Sequence, residues 1–161
     1  MDRAHWLPAI FAYVAAVLIA FPTTSNAFAQ NQNFERAPIN YHEAKVFDPV
    51  SKLAAKVEAG EIKLQYEEDF GYLRSVLKAL DVPVSSQTLV FSKTSLQLHR
   101  ISPRNPRSLY FNDDVYIGFC QNGDVLELAA TGPKQGATFY TLSQQKQEQP
   151  SFIRDRGNCL T

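Results

Sequence analysis

The sequence predicts an α+β domain in which short helices pack on a small antiparallel sheet, a meander, behind a cleaved signal peptide. Three observations predict this. The chain begins with a short apolar run that ends in small residues, and two segments with helical spacing of apolar residues then lie before residue 81. Beyond residue 83, five short runs of β-branched and aromatic residues alternate with turn residues.

Residues 1–29 are predicted to be a signal peptide. Residues 7–21 are apolar and are followed by a polar stretch, as in secretory leaders. Ala27-Phe28-Ala29 favours cleavage after Ala29, and Ser25-Asn26-Ala27 offers an alternative cut after Ala27. The alternative of an uncleaved anchor is disfavoured because the apolar run has about 15 residues, whereas a spanning helix needs roughly 20. We therefore expect a periplasmic or secreted protein without a stable membrane anchor.

Size and charge narrow the functional classes. About 130 residues remain after cleavage, which is enough for one domain with a core. The chain has 16 Lys and Arg against 16 Asp and Glu. This balance predicts no binding to nucleic acid or to an anionic membrane, because the chain lacks the net positive charge that attracts both.

The first part of the mature chain is predicted to hold a polar segment, residues 30–47, and two helices. Asp48-Pro49 supplies an N-cap and a first-turn proline, and Gly60 stands where a helix C-terminus is expected. The second helix is predicted over residues 67–80. Its first turn is acidic, and its apolar stripe consists of Phe70, Leu73, Val76, Leu77 and Leu80.

Strands are predicted in the second part, so that residues 48–142 form the α+β domain. The runs are residues 88–91, 109–111, 115–120, 124–130 and 137–142. Asn122-Gly123 predicts a hairpin with a type I′ turn, and residues 132–136 predict a second turn. The last three runs therefore predict a meander covered by the helices. Residues 93–101 fit a strand and a helical face equally well, and both alternatives stay open.

The chain ends in a glutamine-rich stretch and a cysteine. Residues 143–150 are predicted to be a solvated linker. Residues 152–159 then resemble the start of a new segment, and we expect residues 143–161 to be a linker followed by a truncated haem segment. If Cys-His follows Thr161, Cys159 is the first cysteine of a C-x-x-C-H haem-attachment motif.

The two cysteines admit other interpretations. A disulfide between Cys120 and Cys159 would close a loop of about 39 residues and stabilise the fold by roughly 4 kcal/mol. The alternating run before Cys120 favours a buried, unpaired thiol instead.

Other candidate chemistry is sparse. The arginines Arg100, Arg104 and Arg107 bracket a proline-containing loop and could grip carboxylates such as haem propionates. The alternative is a solvated loop whose arginines pair with Asp113 and Asp114. His42 and His99 lack a ligand-spaced partner, so no metal site is predicted. Serine hydrolase elbows, phosphate-binding loops and dinucleotide fingerprints are missing from the sequence, and we predict no enzymatic activity.

A resemblance covers residues 78–161. The block of residues 92–107, its continuation over residues 109–118 and the strand-like run Val-Leu-Glu-Leu-Ala-Ala resemble a group of large exported bacterial proteins. In those proteins the block precedes a Phe-x-x-Arg segment that runs into C-x-x-C-H. Residues 152–161 are similar to this segment up to the second cysteine. The resemblance implies a cytochrome c-like protein with haem attached at Cys159.

These observations lead to two hypotheses. The first is the N-terminal part of a periplasmic cytochrome c-like electron-transfer protein, with haem c carried by the full-length parent and a redox protein as partner. The second is a haem-free exported binding or structural module, with or without one disulfide between Cys120 and Cys159.

Overall fold

The computed structural model describes residues 36, 37, 39–91 and 94–156. They contain two short α-helices and a six-stranded antiparallel sheet, which confirms the α+β prediction. These residues belong to one compact unit. The predicted signal peptide and Cys159 lie outside the described residues, as does part of the polar segment 30–47.

Helix α1, Pro49–Glu58, forms where the sequence predicts it. A carboxylate oxygen of Asp48 accepts a hydrogen bond from the Ser51 amide at 2.7 Å, and the Ser51 hydroxyl accepts one from the Asp48 amide at 3.0 Å. This capping box satisfies donors that the first turn leaves unpaired. The chain leaves the helix through Gly60, whose φ of +74° lies in the left-handed region that glycine adopts at low cost.

Helix α2, Leu73–Ala79, is shorter than the predicted segment 67–80. Glu67 and Gly71 exchange two backbone hydrogen bonds of 2.8 Å, and Gly71 has a φ of +57°. A right-handed helix cannot run through this turn. The prediction that an acidic run forms the first helical turn is therefore wrong, and Glu67 instead pairs with Arg74 at 2.9 Å. The predicted stripe still packs into the core, with Phe70 partly buried against it.

The sheet is a continuous meander in which each strand pairs antiparallel with the next. All five predicted strands are present. A sixth strand comes from the predicted new segment, so we extend the domain of residues 48–142 to include it. The strands are β1 Thr88–Val90, β2 Arg107–Phe111, β3 Val115–Phe119, β4 Val125–Gly132, β5 Gly136–Ser143 and β6 Phe152–Arg154.

The glutamine-rich stretch between β5 and β6 is tied to the domain. The Gln147 amide donates to the Tyr72 hydroxyl at 2.8 Å, and that hydroxyl donates back to the Gln147 carbonyl at 3.1 Å. The Gln144 side chain donates to the Val125 carbonyl at 3.2 Å. The stretch predicted to be a solvated linker therefore contacts both the helical layer and β4.

The hairpin between β3 and β4 forms as predicted, but with a different turn. The Gly123 amide donates to the Cys120 carbonyl at 3.0 Å, and only Asn122 within the turn has a positive φ, of +56°. A type I′ turn needs positive φ at both central residues, so that prediction is wrong. Gly123 is required for another reason, since a Cβ there would lie 2.6 Å from the side-chain oxygen of Gln97.

The helices cover one face of the sheet. Buried residues of both layers form one cluster, including Val50 from α1, Val76 from α2 and Ile117 from β3, each 0% exposed. A polar contact crosses this core, because the Tyr140 hydroxyl donates to a carboxylate oxygen of the fully buried Asp48 at 2.6 Å. Burial, together with the hydrogen bond and charge of Asp48, raises the pKa of Tyr140. The opposite face of the sheet has no helical layer among the described residues.

Candidate functional site

A groove of about 540 Å³ crosses the face of the sheet that the helices leave open. Strand register explains its shape. Gly118 and Ala129 stand in the middle of this face, where they leave room that larger side chains would fill. The side chains at the borders of the groove are larger than these two residues and mostly apolar. They include Leu96, Leu109, Tyr116, Phe139 and Thr141.

An ion pair lies on the groove floor. The Arg107 guanidinium contacts Glu127 at 2.6 Å, and the two side chains are only 14% and 11% exposed. The second carboxylate oxygen of Glu127 accepts a hydrogen bond from the Ser95 hydroxyl at 2.7 Å. Arg107 also donates to the Thr94 carbonyl at 3.2 Å, while its Nε has no hydrogen-bond partner among the described residues. Both charges are thus held in fixed positions with little contact to water.

Gly118 provides the surface on which the arginine lies. A Cβ at this position would come within 2.5 Å of Nε and Nη2 of Arg107. A contact this short forces the guanidinium to move. The glycine therefore permits both the groove and the ion pair.

The loop that covers one end of the groove is held by Gln97, which is 3% exposed. Its side-chain oxygen accepts hydrogen bonds from the amides of Asp124 and Val125 at 2.6 and 3.2 Å, and its amide group donates to the Val125 carbonyl at 2.9 Å. Two alternatives stayed open for residues 93–101, and their described part, residues 94–101, contains one short 3₁₀ turn, Leu98–Arg100. The hydrogen bonds of the Gln97 side chain therefore hold this loop against β4, and regular secondary structure contributes little.

The three candidate anion-binding arginines do not converge. Arg107 lies in the groove, and Arg100 pairs with Asp124 at 3.1 Å on the surface. Arg104 is exposed and forms no ion pair with the described residues. The acidic partners are Asp124 and Glu127, and the predicted pairing with Asp113 and Asp114 does not form.

The remaining candidate residues lie apart from the groove. His99 approaches Asp124 at 4.0 Å, and the His42 ring contacts the Arg156 carbonyl. Cys120 is buried, 1% exposed, and burial and the nearby charge of Glu127 raise the pKa of its thiol. Since Cys159 lies outside the described residues, its roles in haem attachment and in a disulfide stay predictions.

Ligand-forming groups are scarce on the described face. The residues that line the groove include no histidine, methionine or cysteine. No three acidic, histidine or cysteine side chains gather into a metal-binding group within the described ranges. Among these residues there is also no helix with the length and apolar character needed to span a membrane. The groove can therefore pack and hydrogen-bond a ligand, but its lining offers no nitrogen or sulfur ligand for iron.

A pair of exposed aromatic rings and the residue that follows β6 lie at the two ends of the groove. At one end, Phe111 and the groove residue Tyr116 stack with ring centroids 5.8 Å apart, and they are 40% and 49% exposed. At the other end lies Asp155, directly after β6, whose amide donates to the Phe139 carbonyl at 2.8 Å. The chain thus leaves the sheet beside the groove.

Sequence reasoning missed Glu127 and Gly118. The signal was present for Glu127, because it interrupts the apolar run of β4 between two buried leucines. Alternation in a strand then places it on the opposite face. No family model matches the chain, and neither a curated protein nor a solved structure matches it significantly. The resemblance to exported cytochrome c-like proteins therefore stays a prediction.

Proposed function

We propose that this chain is the N-terminal part of an exported, periplasmic cytochrome c-like electron-transfer protein, and that its haem-free α+β domain shields the haem that the next segment carries. The proposal rests on the predicted leader, on Cys159 and on the resemblance of residues 78–161. A redox protein is the expected partner, since such carriers pass electrons between proteins. The domain itself has a packing role and no enzymatic one.

One observation carries the proposal. Asp155 lines the groove, and Cys159 follows it by four residues. Four residues span at most about 14 Å when fully extended. A group bonded to the Cys159 sulfur is therefore tethered within reach of the apolar groove.

The groove residues suit the packing of one face of a flat apolar macrocycle. Leu109, Tyr116 and Phe139 offer apolar contact, and the ion pair of Arg107 and Glu127 already has its partners. Haem, when bound, supplies the electron exchange at its iron. The domain's side chains exclude water, and hydrophobic surroundings of this kind shift a redox potential. Iron ligands have to come from outside the described lining, because these residues include no histidine, methionine or cysteine.

The first test is the encoding DNA beyond the codon for Thr161, followed by the product. Cys-His codons there, with covalent haem in the exported protein by pyridine haemochrome spectroscopy, are expected. In that protein Cys159→Ser removes one thioether bond, which mass spectrometry of the haem peptide detects. Cys120→Ala is the matched control and leaves both thioether bonds in place. An immediate stop codon, or unchanged attachment in Cys159→Ser, overturns the proposal.

A second pair of variants tests the groove. Ala129→Trp fills its centre, whereas Ala79→Trp places the same side chain at an exposed site at the end of α2. We expect Ala129→Trp to shift the haem absorbance and the midpoint potential, and Ala79→Trp to change neither. Equal spectra and potentials in both variants would show that the domain does not pack against haem.

A haem-free binding module is the second candidate, and the groove itself favours it. Its volume of about 540 Å³ and its apolar walls around a few fixed polar groups are typical of small-molecule sites. On this alternative the exported protein contains no covalent haem, and Ala129→Trp abolishes the binding of a small apolar ligand. Detection of covalent haem separates the two candidates.

A further inference from the structure

Strand β1 forms an open edge of the sheet. It pairs with β2 on one side, and no described strand lies on its other side. In an antiparallel strand, backbone N–H and C=O groups on the unpaired side can bond to another strand. This edge is therefore able to accept a partner strand.

Charged side chains, one common protection of an edge strand, are missing around this strand of three residues. Edges are commonly guarded by charged side chains, above all lysine, yet residues 82–92 contain no charged residue. Leu89 within β1 is 52% exposed, and the neighbouring Val84 and Phe91 are 65% and 56% exposed. An apolar patch thus surrounds the open edge.

The opposite edge of the sheet is engaged by the chain itself. The side chain of Arg154 in β6 donates to the carbonyls of Ala44 and Tyr41, and the Tyr41 hydroxyl donates to the Ala137 carbonyl in β5 at 3.3 Å. Residues 41–44 therefore lie against this side of the sheet. Antiparallel pairing of two β1 strands across a two-fold axis uses this edge of both copies and is closed at two copies.

We propose that two copies of this protein dimerise by antiparallel pairing of their β1 strands across a two-fold axis. The occupant is a second copy because an uncharged strand pairs with its own antiparallel copy without like-charge repulsion. The pairing continues the sheet through both subunits, and the two-fold axis brings the two Leu89 side chains and their apolar surroundings together. Burial of this patch adds to the backbone hydrogen bonds.

The test compares equivalent substitutions on the two edges of the sheet. Sedimentation equilibrium of the exported protein, over a wide concentration range, is expected to give twice the monomer mass. Leu89→Lys should weaken the dimer at least about tenfold, since it brings like charges together at the axis. Ile153→Lys alters β6, where Ile153 is 66% exposed, and should leave the dissociation constant unchanged.

Oxidative cross-linking provides a second measurement. In a Cys159→Ser background, Leu89→Cys is expected to form a covalent dimer on oxidation, and Ile153→Cys is not. Far-UV circular dichroism confirms that each variant is folded. A monomer at all concentrations overturns the proposal, as does a dimer that survives Leu89→Lys or dissociates with Ile153→Lys.

Discussion

The ion pair on the groove floor is expected to be strongly coupled. Arg107→Leu leaves the Glu127 carboxylate, only 11% exposed, with the Ser95 hydroxyl as its remaining hydrogen-bond partner. Glu127→Leu leaves the Arg107 guanidinium with the Thr94 carbonyl. A charge held away from water without its counter-charge costs about 3 kcal/mol in the free energy of unfolding. We expect each single variant to lose about this much.

The double variant should cost far less than the sum of the two. With both charges replaced by leucine, no charge is left unpaired, and a well-packed apolar pair is often as stable as the ion pair that it replaces. Single costs of about 3 kcal/mol each and a double cost of no more than about 3 kcal/mol give an expected coupling free energy of at least about 3 kcal/mol in the double-mutant cycle. In melting temperature, each single variant should lose roughly 10 °C, at about 3–6 °C per kcal/mol for a domain of this size.

Urea unfolding followed by far-UV circular dichroism measures these free energies. Fluorescence is less suitable, because the only tryptophan is Trp6, within the predicted leader. The exposed pair Arg74 and Glu67 is the matched control, with an expected coupling of under about 1 kcal/mol. Additive costs at Arg107 and Glu127, with coupling below about 0.5 kcal/mol, would refute the inference that the groove isolates this pair from water.

Three further predictions concern the core. The pKa of Tyr140 is higher in the folded protein than in the unfolded chain, so the protonated hydroxyl stabilises the fold. This stabilisation is complete below about pH 10, the ordinary pKa of tyrosine. Above that pH, stability should fall by about 1.4 kcal/mol per pH unit from this group, a slope that unfolding titrations of Tyr140→Phe should lack. Asp48→Ala should lower the free energy of unfolding in urea by about 3 kcal/mol, because it removes the helix cap and the hydrogen bond from Tyr140. Asp48→Asn keeps the cap and should cost clearly less. Equal losses in the two variants would contradict the capping role. In Cys159→Ser protein, the buried Cys120 thiol should react with Ellman's reagent only after unfolding, and rapid reaction of the folded protein would disprove its burial.

Local patterns determined much of this fold. Asp48, Pro49 and Gly60 define both ends of α1 through contacts within a few residues, so their order along the chain was sufficient. The five predicted strands follow from short runs of β-branched and aromatic residues, and the last three of them, joined by short turns, pair as the predicted meander. Alternation in these runs also distinguishes the covered face of the sheet from the open one.

Tertiary structure decided the features that depend on distant residues. The turn before α2 places Gly71 where a Cβ would lie 3.0 Å from the side chain of Gln144, so the start of that helix reflects packing as well as helix propensity. Strand β6 was not predicted from its sequence, and its pairing with β5 defines it. The strand register brings Arg107 beside Glu127, and Gly118 leaves room for the arginine side chain. Proximity in the sequence had suggested Asp113 and Asp114 as partners. Local backbone preferences act over a few residues, but a buried charge takes its partner from whichever strand the sheet brings beside it.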